Sequence, residues 1–326
     1  MGPPSRVFWV IYTMDSLTCA KRFFKDFILV VTARFGLDSS GYCVPESVDV
    51  AFIPFEGIHC RIIGRIEAPA DSPCDGSREG RRGREFLARL IKAVLALSEY
   101  QLAFPQQWIV DSVAQAGSED PPTLGAGDPS NQVTLQLDPE KLASDLRRLL
   151  FKGVYKNYVR VCRETDPFKC APLRRIVRAG EIFASAVSQA DYVSFVFLLA
   201  VAVEVAATAL KAYCELVGNR KVCDLKAVRR KLVEDGSLYI EHGSARYSLL
   251  DLRNAIAHGE ASLSGSSKLS FEEAERIISE SIHVIEREIA VRVRQILRRI
   301  ILGDYNCDEI ADLAVCDRGE QRCRCY

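Results

Sequence analysis

Between Tyr192 and Leu210 the chain reads Tyr-Val-Ser-Phe-Val-Phe-Leu-Leu-Ala-Val-Ala-Val-Glu-Val-Ala-Ala-Thr-Ala-Leu, with Glu204 as its one charged residue. A segment this apolar all round has two outlets. It crosses a bilayer, which takes about 20 predominantly apolar residues, or it becomes the enclosed helix of a helical bundle. Glu204 decides between them, because a lone carboxylate is costly in hydrocarbon but is compensated in a bundle by an opposed cation. The expectation is a helical domain with no membrane span, in which residues 179–218 form one or two long helices and Arg253 supplies the cation for Glu204.

Arg253 opens a second constraining string, Arg253-Asn254-Ala255-Ile256-Ala257-His258. Ser248 stands where an N-cap belongs, with acidic Asp251 three positions on as in a capping box. Gly259 stands where a left-handed C-terminal cap falls. Leu249, Leu252 and Ile256 recur at helical spacing and form a stripe to bury. Asn254 and His258, four apart, share a face that Arg253 borders. An imidazole exchanges protons near neutral pH, and an arginine holds a phosphate through two planar hydrogen bonds. Such a helix suits RNA cleavage without a metal. The same residues also read as a helix end whose terminal histidine complements the helix dipole.

Arg253 and Asn254, followed by His258 and Gly259 and preceded by a long apolar helical region, resemble the Arg-x4–6-His signature of HEPN domains. The resemblance covers roughly residues 172–302, and its specific part is the six-residue string. It implies that two copies pair about a two-fold axis so that both motifs line one cleft. His258 would then act as general acid or base, Arg253 would stabilise the phosphorane charge, Asn254 would orient one of them, and Glu204 would stand behind Arg253. The implied reaction is attack of a ribose 2'-OH on the neighbouring phosphate, with no cofactor and no metal; DNA lacks the nucleophile. A further long helix is expected over 271–302, N-capped by Ser270 with Glu273 three positions on. Its Arg287, Arg292, Arg294, Arg298 and Arg299 make either a solvated face or a floor for an RNA backbone.

Residues 7–162 alternate strand-like and helix-like segments. Strands are expected over 7–12, 48–54, 60–66, 107–113, 132–137 and 155–162, and helices over 16–35, 85–104 and 139–151. That order predicts an α/β domain over 1–165, an open Rossmann-like sheet wound by right-handed crossovers, ahead of an all-α domain over 166–326 with a Cys-rich tail. Ligands of such sheets bind beyond the carboxyl ends of the strands, which nominates Thr13, Asp15 and Ser16 after the first strand and Asp111 and Ser112 after a later one. Ser16 alternatively serves only as the N-cap of the next helix. The arginines of the 68–84 loop, Arg78, Arg81, Arg82 and Arg84, either meet phosphates or are solvated.

A Rossmann-like domain followed by a HEPN domain resembles the CARF-HEPN ribonucleases of type III CRISPR antiviral systems. The resemblance implies a cyclic oligoadenylate that binds across a CARF dimer and activates the HEPN cleft. Members commonly carry Asp-x-Thr-His-Gly after the fourth strand; here Asp111 and Ser112 match in part, and no histidine follows.

The 43 basic and 43 acidic residues cancel, which excludes a protein that coats nucleic acid by bulk charge but leaves room for a local basic cleft. Val7 to Tyr12 is too short for a secretory signal core and no cleavage site follows, so a cytoplasmic location is expected. The 12 cysteines lack repeated C-x2-C pairs, and the tail group Cys307, Cys316, Cys323 and Cys325 offers only a four-thiolate site of unusual spacing. Cys162 with Cys170, and Cys214 with Cys223, are near enough in sequence to close short loops. His59, His242 and His283 read as surface or core residues.

The expected function is that of a homodimeric, metal-independent endoribonuclease acting on single-stranded RNA, regulated by its N-terminal domain through a nucleotide. Two alternatives stand beside it. One is a HEPN toxin whose N-terminal half binds its antidote; the other is a non-catalytic HEPN interaction protein in which Arg253 and His258 brace the bundle or bind a partner.

Overall fold

The computed structural model describes residues 5–13, 27–37, 39, 43–54, 61–69, 80–98, 109–115, 139–162, 169–187, 189, 191–218, 224–262 and 268–312. The chain divides into two compact units, one of residues 1–160 with 164–168 and one of residues 161–163 with 169–326. The fold is mixed α/β, with a small sheet in the first unit and mostly helix in the second.

The first unit holds strands β1 (Ser5–Thr13), β2 (Phe27–Leu37), β3 (Cys43–Pro54), β4 (Arg61–Pro69) and β5 (Ile109–Gln115), with helices α1 (Gly80–Leu97) and α2 (Pro139–Leu149). The strands form one sheet in the order β3-β2-β4-β1-β5. The β2–β4 pair is parallel, while β1–β4, β1–β5 and β2–β3 are antiparallel. This corrects the Rossmann-like expectation, since right-handed crossovers would have produced a parallel sheet.

Two local assignments change as well. The helix expected over 16–35, of which residues 16–26 lie outside the described residues, is replaced over 27–35 by β2, where Val31, Ala33 and Phe35 are buried while Arg34 is exposed. That is the two-residue period of a strand; a helix would have placed Arg34 beside Val31 and Phe35 on the buried face. Arg34 Nε instead donates to Glu67 Oε2 of β4 at 2.7 Å. The strand expected over 155–162 is helical, because α2 runs on as a π-helix over Leu150–Val159. Its buried Leu150, Val154 and Tyr158 recur every fourth position, a helical repeat. The strand expected over 132–137 lies outside the described residues.

The second unit contains α3 (Ala171–Ala186), α4 (Tyr192–Val217), α5 (Leu225–Asp235), the hairpin β6 (Tyr239–His242) and β7 (Ala245–Ser248), α6 (Leu249–His258), the hairpin β8 (Glu260–Ser262) and β9 (Lys268–Ser270), α7 (Phe271–Val284), α8 (Ala290–Leu302) and α9 (Cys307–Asp312). A π-turn over Ile285–Ile289 joins α7 to α8, so the long helix expected over 271–302 is continuous but locally widened. Ser270 and Glu273 form its capping box.

The apolar run is α4. By length and composition it is a helix that could cross a membrane, with a mean hydropathy of 2.3 over its most apolar window. Here it is the central helix of the unit, packed against α3, α5, α6, α7, α8 and α9. Asp191 caps it: the side chain accepts from the Ser194 amide at 2.7 Å, and its bonds to Ser194 hold the carboxyl below the usual carboxylate pKa.

Cys162 and Cys170 are disulfide-bonded, with Cα atoms 5.9 Å apart. Cys214 pairs with Cys307, Cα atoms 5.0 Å apart, in place of the short loop to Cys223. Cys214 lies on the buried side of α4, where α9 packs, and Cys307 is the first residue of α9.

Candidate functional site

The helix that carries the six-residue string is built as its local sequence dictates. Ser248 accepts from the Asp251 amide at 3.1 Å, and Asp251 Oδ2 accepts in return from the Ser248 amide at 3.1 Å and from its hydroxyl at 2.6 Å. At the other end Gly259 takes φ 75°, a left-handed conformation that costs glycine least. The buried stripe runs through Leu249, Leu252 and Ala255, with Ile256 only half-buried. Hairpins adjoin both ends: the Leu249 amide donates to Leu238 O at 2.9 Å, and the Phe271 amide donates to Gly259 O at 3.0 Å. Replacing Ser248 with alanine removes the reciprocal cap and is expected to cost about 1 kcal/mol, read as a fall in the urea midpoint with an unchanged m value.

Arg253 and Glu204 meet. The Arg253 guanidinium donates through Nη2 to Glu204 Oε2 on α4, and through Nη1 to Asn254 Oδ1 at 2.7 Å. The other carboxylate oxygen, Oε1, lies 3.4 Å from Nη1 of Arg229 on α5. Glu204 is therefore shared by two guanidiniums from different helices, and its side chain is only 13% exposed. The Nε atoms of Arg253 and Arg229 are buried without a hydrogen-bond partner. Charge balance leaves this cluster with one excess positive charge, held where water is partly excluded and electrostatic effects are strengthened. Asn254 holds one terminal nitrogen of Arg253 and Glu204 the other, which fixes the guanidinium before any ligand arrives.

His258 closes α6 and is exposed. It lies one helical turn beyond Asn254. The helix thus carries an exposed imidazole at its end and a clamped cation five residues before it, about 140° away around the helix axis. Arg229 is the functional candidate that sequence reasoning missed. Lys226, Arg229 and Arg230 fall at i, i+3 and i+4, a basic face of α5 that carries no signal of its own until Glu204 is placed beside it.

The described N-terminal candidates, Thr13, Asp111 and Ser112, lie within strands. Thr13 is the last residue of β1, and Asp15 and Ser16 lie outside the described residues. Asp111 and Ser112 sit within β5, at the register shift opposite β1, and not in a loop following a strand. Thr13 pairs with Ile109, so the end of β1 lies beside the beginning of β5. Antiparallel pairing therefore puts the last residues of these two strands, Thr13 and Gln115, at opposite ends of the pair. A parallel sheet would have brought them together.

His242 lies 3.5 Å from Glu280, His283 is exposed on α7, and His59 lies outside the described residues. Arg292 donates to Ser237 O at 3.0 Å and to Glu288 Oε2 at 2.8 Å, and Arg299 stacks 4.4 Å over the Tyr305 ring. These two arginines of the expected RNA floor serve the bundle. Compared with models of protein families, with curated proteins and with solved structures, the chain matches none.

Proposed function

We propose that the protein is a HEPN-type endoribonuclease whose second unit acts as a homodimer on single-stranded RNA. The observation that carries the reading is the α6 arrangement: Arg253 is clamped between Glu204 and Asn254, and His258 stands exposed one turn beyond. The reaction is an internal transesterification. The 2'-oxygen forms a bond to its neighbouring phosphorus as a histidine takes the hydroxyl proton, the bond to the 5'-oxygen breaks, and a proton passes to that leaving oxygen. The Arg253 guanidinium offsets the negative charge gathered on the phosphorane. One copy of the motif supplies a single imidazole for the two proton transfers, so a second copy related by two-fold symmetry completes the site.

A second reading is favoured by the same clamp. The hydrogen bonds of the Arg253 guanidinium go to Glu204 and Asn254, which is also what a purely structural arginine does. In that case the unit is an interaction module, with His258 decorating a helix end. The toxin reading shares the chemistry of the first and differs only in what binds the N-terminal unit.

The test is to incubate the full chain with 5'-labelled RNA in EDTA and to map the ends. Cleavage that persists in EDTA and leaves 2',3'-cyclic phosphate and 5'-hydroxyl termini is the expected result. Ends bearing 5'-phosphate, or activity that vanishes with the chelator, would reject this chemistry. Activation by a cyclic oligoadenylate is a separate part of the proposal; the mostly antiparallel sheet lends it no support. The assay is therefore run with and without cyclic oligoadenylate.

A further inference from the structure

We infer that Arg229 is a phosphate-binding residue of this same site, and that Lys226 and Arg230 extend it into a short basic track along which an RNA strand reaches Arg253. This rests on the ribonuclease reading above and adds to it the path of the substrate backbone. Glu204 offers one negative charge and receives two guanidiniums, Arg253 on Oε2 and Arg229 on Oε1. A carboxylate needs only one of them for neutrality. Bringing the second cation so close is repulsive unless a further anion joins the group.

The cluster opens on the side of Arg229, whose side chain is 35% exposed against 21% for Arg253. From that opening the basic face continues. Lys226 and Arg230 lie three residues before Arg229 and one after it, both are exposed, and neither side chain has an ion-pair partner among the described residues. The other cation of α5, Lys231, is neutralised by Asp235 at 3.4 Å and Glu309 at 3.6 Å. The helix thus separates a compensated lysine from three cations that are not fully compensated. A phosphodiester supplies what the open face lacks, one negative charge and two acceptor oxygens matched to the planar guanidinium fork.

An RNA oligonucleotide carrying 2'-O-methyl groups throughout cannot undergo the reaction, so its binding to the full chain, followed by fluorescence anisotropy, is read apart from cleavage. Arg229→Ala is expected to weaken binding about tenfold. The slope of log affinity against log salt should fall in magnitude by about 0.7, the value of one single-strand phosphate contact. Arg229→Lys keeps the charge and should keep the slope. Unchanged affinity and slope in Arg229→Ala overturn the assignment. So does a slope in Arg229→Lys reduced as far as in the alanine variant, which would mean that Arg229 only braces Glu204. Absence of binding by the unmodified protein overturns it too.

Cleavage of ordinary RNA is measured in parallel. Binding that depends on Arg229 in a protein that never cleaves would end the nuclease reading and leave the Arg229 assignment standing. Binding indifferent to Arg229 in a protein that cleaves would do the reverse.

Discussion

Replacing His258 with alanine is expected to lower RNA cleavage by about 10³-fold, within the range that a positioned general acid or base contributes. The variant is informative because the fold has little at stake in it. His258 is exposed in the last turn of α6. Alanine is at least as good a helix former, and the lost interaction of a cationic side chain with the helix terminus is worth at most about 1 kcal/mol. Circular dichroism and the association state should therefore match those of the unmodified protein while activity collapses. Arg253→Ala is a poorer probe, since it also strips Glu204 and Asn254 of a partner. Cleavage that survives His258→Ala at full rate would sink the assignment and leave the interaction-module reading.

Glu204→Ala should be the most damaging single change to stability within the site. It removes the carboxylate between Arg253 and Arg229 and leaves two guanidiniums facing each other without an anion. Removing one partner of a fully buried pair costs about 3–5 kcal/mol. Partial exposure of both arginines allows water to screen them, so about 2–3 kcal/mol is expected here. That corresponds to a fall of about 4–12 °C in the melting temperature of a unit this size. Glu204→Gln, which keeps the shape and one acceptor oxygen, should lose less. A loss below about 0.5 kcal/mol in Glu204→Ala would place the pair among ordinary surface contacts and remove the clamp from the argument.

The parts of the site that rest on neighbouring residues were legible before the fold was known. The caps of α6 depend on Ser248, Asp251 and Gly259, all within one short segment, and their hydrogen bonds form as their order implies. The meeting of Glu204 with Arg253, 49 residues apart, was also legible, because a single carboxylate in so apolar a helix must find a cation. Strand direction was not. Nor was the element itself over 27–35: Val31, Ala33 and Phe35 alternate with exposed Arg34 as in a strand, yet the segment also reads as the end of an amphipathic helix, and nothing in its pattern chooses between parallel and antiparallel neighbours. Leu150, Val154 and Tyr158 fit a helix, yet the aromatic and β-branched residues around them favour a strand until tertiary packing decides. Arg229 looked like any lysine- and arginine-rich helix face, and its meaning came only from the second oxygen of Glu204.

The Cys214–Cys307 bridge places the site inside a covalent ring. Its partners are 93 residues apart, and Arg229, Arg253, Asn254 and His258 all lie between them, whereas Glu204 lies just outside on α4. Closing so long a segment restrains the unfolded chain by about 4–5 kcal/mol in the chain-entropy view. It also means that one proteolytic cut anywhere in the ring yields a nicked molecule whose two pieces migrate together until a reductant parts them.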